Sequence, residues 1–332
     1  MKSKLIILFF ILNILLSGCA KSNNLYLSIF TSENSNNSLK TPISLYCYDI
    51  RSKKSEKITS VSTLPTPCLL SYSKSDNTIY YTVYLNDSAS GEISNLHSLD
   101  LNTMETKQLT ENLCITDYII NAKDDIYLLS VYDNFLTKPV IYHKNTGETE
   151  NPLKDSSENF TYMSYDVINE HLYLSAFNFH KSVKASEDYD SKKSLSPYPD
   201  NHIYEYNSEY KTFMPISVSS KMKITNVYAV PGYDKVYYSQ KDEINVFASL
   251  CDLNTKTTKY IPDIPNPYPE LLSSTNNICF LNEEEVLLIG ENSSNLKEYP
   301  EGVYLYNSET EELKLLFTIG DKKIIDFQLL SK

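Results

Sequence analysis

Tryptophan is absent from this chain of 332 residues, glycine occurs only 7 times, and Arg51 is the one arginine. Few glycines leave little room for a phosphate-binding loop or a dinucleotide fingerprint, and neither pattern occurs. No G-x-S-x-G is present, so a nucleophile elbow is unsupported. No C-x-x-C occurs, which removes the usual zinc-ribbon and redox spacings. The five histidines, His97, His143, His171, His180 and His202, form neither H-x-H nor H-E-x-x-H. An EF-hand calcium loop is also missing. No catalytic residue, metal site or cofactor is therefore assigned. The net charge of −12 argues against a nucleic-acid partner, because an acidic surface repels phosphate backbones.

What is abundant is tyrosine, with 28 residues, in a chain that is 41% hydrophobic. That content supports a folded core. The first 18 residues have a different character. Lys2 and Lys4 precede Leu5 to Leu16, which is apolar except for Asn13. A run of 12 is too short to span a bilayer as a helix, which takes about 20 residues. Leu16-Ser17-Gly18-Cys19 follows. This tetrad resembles the bacterial lipobox, and the resemblance implies cleavage before Cys19 and lipid on its sulfur. Residues 1–18 are then the signal peptide and 19–24 a lipidated tether. Localisation is expected at the membrane, lipid-anchored, on the extracytoplasmic side. Loss of Lys2 and Lys4 takes the net charge from −12 to −14. Cys47, Cys68, Cys114, Cys251 and Cys279 remain; they show no disulfide framework and read as small apolar side chains.

Residues 25–332 repeat. Apolar-Tyr-apolar triplets occur at Leu25-Tyr26-Leu27, Ile79-Tyr80-Tyr81, Ile126-Tyr127-Leu128, Leu172-Tyr173-Leu174 and Val236-Tyr237-Tyr238, with Val286-Leu287-Leu288 as a sixth lacking Tyr. Each is followed by a strand-like segment ending in Asp or Asn: 45–49, 96–100, 141–145, 203–207, 248–252 and 303–307. The terminal Asp or Asn suits a turn, because its side chain bonds nearby backbone. The spacing of these residues, 51, 45, 62, 45 and 55, fits four-stranded propeller blades. Inner strands are expected near 67–73, 115–121, 161–168, 223–230 and 274–281. The first repeat lacks one. The apolar run from Lys323 to Leu330 supplies it, so the C-terminal strand closes the ring and removes open sheet edges. The expected fold is all-β: a six-bladed β-propeller with four-stranded blades. A seven-bladed ring or a pair of sandwiches is the alternative.

This pattern resembles the divergent six-bladed propellers related to the TolB type. The resemblance covers most of residues 25–330 and implies a fold without any functional residue. The Ser-Pro-Asp-Gly turns of that type are absent. Without tryptophan the chain also lacks the WD, YWTD and sialidase Asp-box signatures.

The recurring tyrosines are expected to pack between blades, since a large side chain is needed at the same place each time. Function is expected on the long connections that open on one face: 31–42, 85–93, 133–138, 178–201, 262–269 and 291–301. The ligand-binding candidates are Phe179, His180, Tyr189, Tyr198, Tyr268 and Tyr299. His180 and His202 bracket the longest loop. The expected role is non-catalytic binding or scaffolding of an envelope protein, a peptide or a cell-wall glycan. A glycan-cleaving lyase or glycosidase at the channel mouth, or an accessory of an envelope complex, are the other readings.

Overall fold

A computed structural model describes residues 25–32, 42–62, 64–65, 68–87, 91–132, 136–192, 198–209, 211–220, 222–242, 245–261, 272–291, 295, 297, 299–320 and 322–331. The lipobox with Cys19, and Tyr268, lie outside these residues.

The strands follow the repeats. β1 (Leu25–Ser32), β2 (Ile43–Asp49) and β3 (Lys54–Val61) open the chain. β4 (Leu70–Ser73), β5 (Thr78–Asp87), β6 (Gly91–Asp100) and β7 (Thr106–Gln108) come next. β8 (Cys114–Asn121), β9 (Asp125–Val131), β10 (Thr137–His143) and β11 (Thr149–Glu150) form the third group. β12 (Glu158–Asp166), β13 (His171–Asn178), β14 (Asn201–Asn207) and β15 (Thr212–Ser220) form the fourth. β16 (Lys223–Val230), β17 (Lys235–Lys241), β18 (Val246–Asp252) and β19 (Thr257–Ile261) form the fifth. β20 (Leu272–Phe280), β21 (Glu285–Glu291), β22 (Gly302–Asn307) and β23 (Glu312–Phe317) form the sixth, and β24 (Lys323–Ser331) ends the chain. Within each group neighbouring strands pair antiparallel.

β24 pairs with β1 from Leu25↔Ser331 to Ser32↔Lys323, as the sequence led us to expect. The last strand is thus the inner strand of the first sheet. Ladder bonding among the described residues gives four separate four-stranded sheets and one of eight strands. Six separate sheets, the expectation from the repeats, are therefore not what the ladders give. The merger has a small physical cause. One parallel bridge, Ser94↔Cys114, joins β6 to β8, and the Ser94 N–H donates to Leu113 O at 2.8 Å.

The architecture is that of a β-propeller built from four-stranded sheets. Inner strands touch in a cycle: β24 with β4, β4 with β8, β8 with β12, β12 with β16, β16 with β20, and β20 with β24. The core lies between neighbouring sheets rather than in one central mass. Leu27, Ile29 and Phe327 of the first sheet pack with Leu287, Val303 and Phe317. Phe30 and Leu45 pack with Leu70 and Ile79. Similar layers join β5–β6 to β8–β10, β9–β10 to β12–β14, β13–β14 to β16–β18, and β17–β18 to β20–β21.

The tyrosines do pack between sheets. Tyr80, Tyr127, Tyr173 and Tyr237 are all buried. The register, however, corrects two assignments. The residue opposite the start of the second strand is Asp49, Asp100, His143, Asn207, Asp252 or Asn307. Asn145 is thus not the counterpart of Asp100; His143 is. In the first sheet the position of Tyr80 falls to Ser28, not Tyr26. A two-residue slip preserves the alternation of faces, so pattern alone cannot detect it.

Turn chemistry explains why the repeats end as they do. Asp49 Oδ1 accepts from the N–H groups of Arg51 and Ser52, at 2.9 and 3.1 Å. Those bonds hold its carboxyl below the usual range. Asn307 Oδ1 does the same for Glu309 and Thr310. Four residues after the strand end the backbone turns left-handed, at Lys53, Met104, Gly147, Lys211, Lys256 and Glu311. A hairpin of a tight turn plus one left-handed residue matches the twist of the strands.

Each fully buried aliphatic or aromatic side chain contributes about 1.5–3 kcal/mol. β24 buries Ile324, Phe327, Leu329 and Leu330. Together they rival the whole stability of a typical domain, about 5–15 kcal/mol. A chain ending at Lys322 is expected to lose its cooperative thermal transition by calorimetry. Native-like melting of that truncation would show that β24 does not close the ring.

Candidate functional site

The sheets leave the ring with two unlike ends. At one end lie the tight turns between first and second strands and between third and fourth strands. At the other lie the longer connections. The candidate residues expected from the sequence belong to these longer connections.

The segment 178–201, expected to be a loop, carries a helix instead, α1 (Phe179–Asp190). Asn178 ends β13 and caps the helix, its Oδ1 accepting from Lys181 N at 3.1 Å. Its Nδ2 donates to Ser157 Oγ at 2.6 Å, fixing the cap to the neighbouring strand. The charges oppose the helix dipole: Lys181 and Lys184 come early, and Glu187, Asp188 and Asp190 late. No residue of α1 is buried. Helices this short are marginal in water, so the cap decides that this one forms. Periodicity missed it because a helix without a buried face has no apolar stripe to reveal it.

The candidates fare differently. Phe179 is half-buried and His180 exposed, their rings edge-on at 6.0 Å. Tyr189 on α1 and Tyr198 beyond it are half-buried. Tyr299 is held in the base of its own loop, packing on Leu288 and Tyr304, with its N–H on Asn295 O. It belongs to the scaffold more than to an open surface. His202 lies on β14 opposite Ala176. No group of three metal-capable side chains occurs among the described residues, and none of the five described cysteines is in a disulfide.

Below α1 the loop end carries a polar strut. Lys138, 2% exposed, donates from Nζ to the carbonyls of Ser156 and Glu158. Burial lowers its pKa, with Glu158 opposing. The Thr137 N–H donates to Asn159 Oδ1 at 2.8 Å. These bonds join β10 to the approach of β12 and brace the platform on which α1 stands.

The inner strands carry a second feature that the candidates did not include. On β24, Gln328 Oε1 accepts from Ser71 Oγ at 2.7 Å, and Nε2 donates to Leu70 O at 2.7 Å and Ile119 O at 3.4 Å. One side chain thereby ties the inner strands β24, β4 and β8. Two residues earlier, Asp326 sits deep in the body though partly open to solvent. Burial pushes its pKa up to about 7, against hydrogen bonds from the Phe327 N–H and the Gln328 side chain. The signal was available: two polar residues interrupt an otherwise apolar strand, Lys-Ile-Ile-Asp-Phe-Gln-Leu-Leu.

A cleft of about 290 Å³ opens at the turn end between β5–β7 and β10, lined by Tyr80, Ser98, Lys107, Tyr142 and Lys144. Thr78 and Asp100, which pair across β5 and β6, also line it. At the corresponding place in two other strand groups, ionisable side chains meet across the strands, Asp125 with His143 at 2.7 Å and Lys235 with Asp252 at 3.8 Å. Lys144 is a strut rather than a free cation, since Nζ donates to Ala122 O at 2.8 Å and to Lys123 O at 3.1 Å.

No protein-family model matches the sequence, and no curated protein matches it. Solved structures do match the fold. TolB from Acinetobacter baumannii superposes with a TM-score of 0.53 and 9% identity, over 94% of this chain and 68% of that one. A chain from a nidogen/laminin complex superposes with a TM-score of 0.51 and 8% identity, over 92% and 98%. Identities this low make the likeness one of architecture, a TolB-like propeller, and nothing more.

The channel carboxyl sets a pH dependence. Its folded-state pKa lies above the ordinary value near 3.9, so the folded chain keeps a proton that the unfolded chain releases. The stabilising contribution is complete below about pH 4 and is lost as pH rises through about 7. Asp326→Asn should therefore melt higher than the native chain at pH 8, with the gap shrinking at pH 5. Parallel melting curves across that range would remove the channel assignment.

Proposed function

We propose that the chain is a lipid-anchored extracytoplasmic propeller of six four-stranded blades, a binding or scaffolding protein without catalysis. Cys19 holds it to the membrane, and its loop end receives an envelope protein, a peptide or a cell-wall glycan. Two observations support the count of six. β4–β7 and β8–β11 each have the full order of inner to outer strand, joined by one bridge. The cycle of inner-strand contacts also has six members.

The observation that carries the functional reading is where the chain ends meet. Leu25 opens β1 beside Tyr26, which pairs with Asp49 at the start of a tight turn. Ser331 lies opposite Leu25. Both ends therefore leave from the turn end of the ring, and Cys19 precedes Leu25 by six residues. An anchor there leaves the loop end, with α1 and its brace, as the surface offered to partners. Rigid scaffolds with variable loops are a common way to present a binding surface.

Glycan cleavage by the usual route needs two carboxyls about 5–10 Å apart. The carboxyls with raised pKa among the described residues are Asp326 in the channel and Glu284, raised by Glu309 on an exposed turn. Asp326 lies on β24 and Glu284 in the turn between β20 and β21.

Expressed from its full gene in a bacterial host, the mature chain should begin at Cys19 and carry the mass of a diacylglyceryl group. Cys19→Ala should remain unprocessed and carry no lipid. An unmodified native chain would overturn the anchor. Crosslinking in intact cells should lose its partners when residues 179–192 are replaced by a short Gly-Ser link. Unchanged capture would move the binding surface off α1.

A further inference from the structure

The turn end of the first sheet is basic in an otherwise acidic protein. The turn between β2 and β3 carries Arg51 and Lys53, with Lys54 opening β3, and all three are exposed. Lys74, in the turn between β4 and β5, places Nζ 3.7 Å from the centroid of the Tyr26 ring. That contact sets it beside the first residues of β1. From the sixth group, the Lys314 ammonium crowds that of Lys53 and lowers its pKa. Three carboxylates, Asp49, Glu56 and Asp76, lie nearby and are outnumbered by the five cations. Asp49 is taken by turn N–H groups, and Asp76 accepts from Tyr80 Oη at 2.7 Å.

This patch surrounds the place where the chain enters the ring. Cys19 and Leu25 are six residue steps apart. Even fully extended, at about 3.4 Å per residue, they span about 20 Å. A lipid on Cys19 therefore holds the patch near the headgroups. Closeness matters because screening at physiological salt confines such attraction to about 8 Å. At the tip of the turn between β6 and β7, Met104 stands 53% exposed on the same end and adds an apolar contact.

We propose that Arg51, Lys53, Lys54, Lys74 and Lys314 dock on the anionic lipid headgroups of the bilayer that holds the anchor. The turn end of the first two sheets then faces the membrane and α1 points away from it. This rests on the reading that Cys19 is lipidated. The acidic turns around Glu283–Glu285 and Glu309–Glu312 lie on the neighbouring sheet and tilt the ring toward the second sheet.

Native lysines on both ends provide the test. The full lipidated chain is reconstituted into phosphatidylglycerol–phosphatidylcholine vesicles, into phosphatidylcholine vesicles, or into non-ionic detergent. An impermeant amine reagent is added and modification is read by mass spectrometry. On the anionic vesicles, Lys53, Lys54 and Lys74 should be modified about fivefold less than in detergent, the effect of roughly one favourable headgroup contact per lysine. Lys181 and Lys184 on α1 should be unaffected. With Arg51→Ala, Lys53→Gly and Lys54→Ala combined, the chain should stay on the vesicles by its lipid while Lys74 loses protection. Equal modification on both ends, protection of α1 instead, or persisting protection of Lys74 in the variant overturns the docking. Equal protection on phosphatidylcholine alone overturns the anionic headgroup as its partner. The N-terminal peptide in the same spectra reports the lipid, so a missing anchor is told apart from a wrong orientation.

Discussion

Everything described above depends on one ladder, the pairing of β1 with β24. It joins residues at opposite ends of the chain, so its loop-closure entropy is paid only once the whole ring is in place. Its return is disproportionate. It supplies the first sheet with an inner strand, covers an edge that would otherwise seek another chain, and seats Phe327 and Leu329 in the layer shared with the sixth group. Through Gln328 the same strand reaches the second and third groups.

The closure also decides how the molecule meets its surroundings. Because β24 runs antiparallel to β1, both termini emerge at one end of the ring. The basic turn at Arg51–Lys54 lies at that end, as would the proposed anchor at Cys19. The longest connection, with α1 capped by Asn178, falls at the other. In the function proposed above, the surface offered to partners and the attached end are therefore separated by the length of a strand.

The polar groups of the interior follow a single logic. Two histidines bond to carboxylates on the paired strand, His143 to Asp125 and His171 to Glu205. Buried amines such as Lys138 and Lys144 find carbonyls, because an unpaired buried ammonium is costly. Asp326 departs from the rule. It has hydrogen bonds but no cation, and it keeps its proton to about pH 7 as a result.

The repeats, their turns and the closing strand were legible in the residues, because each is encoded locally. Asp49 and Asn307 bond their own turns, and the alternating apolar residues of Lys323 to Leu330 announce a strand. What stayed hidden required neighbours distant in sequence. His143 and Ser28 occupy places that the pattern gave to Asn145 and Tyr26, since only cross-strand burial fixes register. The helix α1 depends on a cap bonded to Ser157. The packing of Tyr299 on Leu288 and Tyr304 likewise depends on strands that its own segment does not contain. Asp326 and Gln328 became channel groups only when the ring drew β24, β4 and β8 together. Local hydrogen bonding and periodicity can specify an element, whereas the surroundings of a side chain are set by elements that the chain reaches hundreds of residues later.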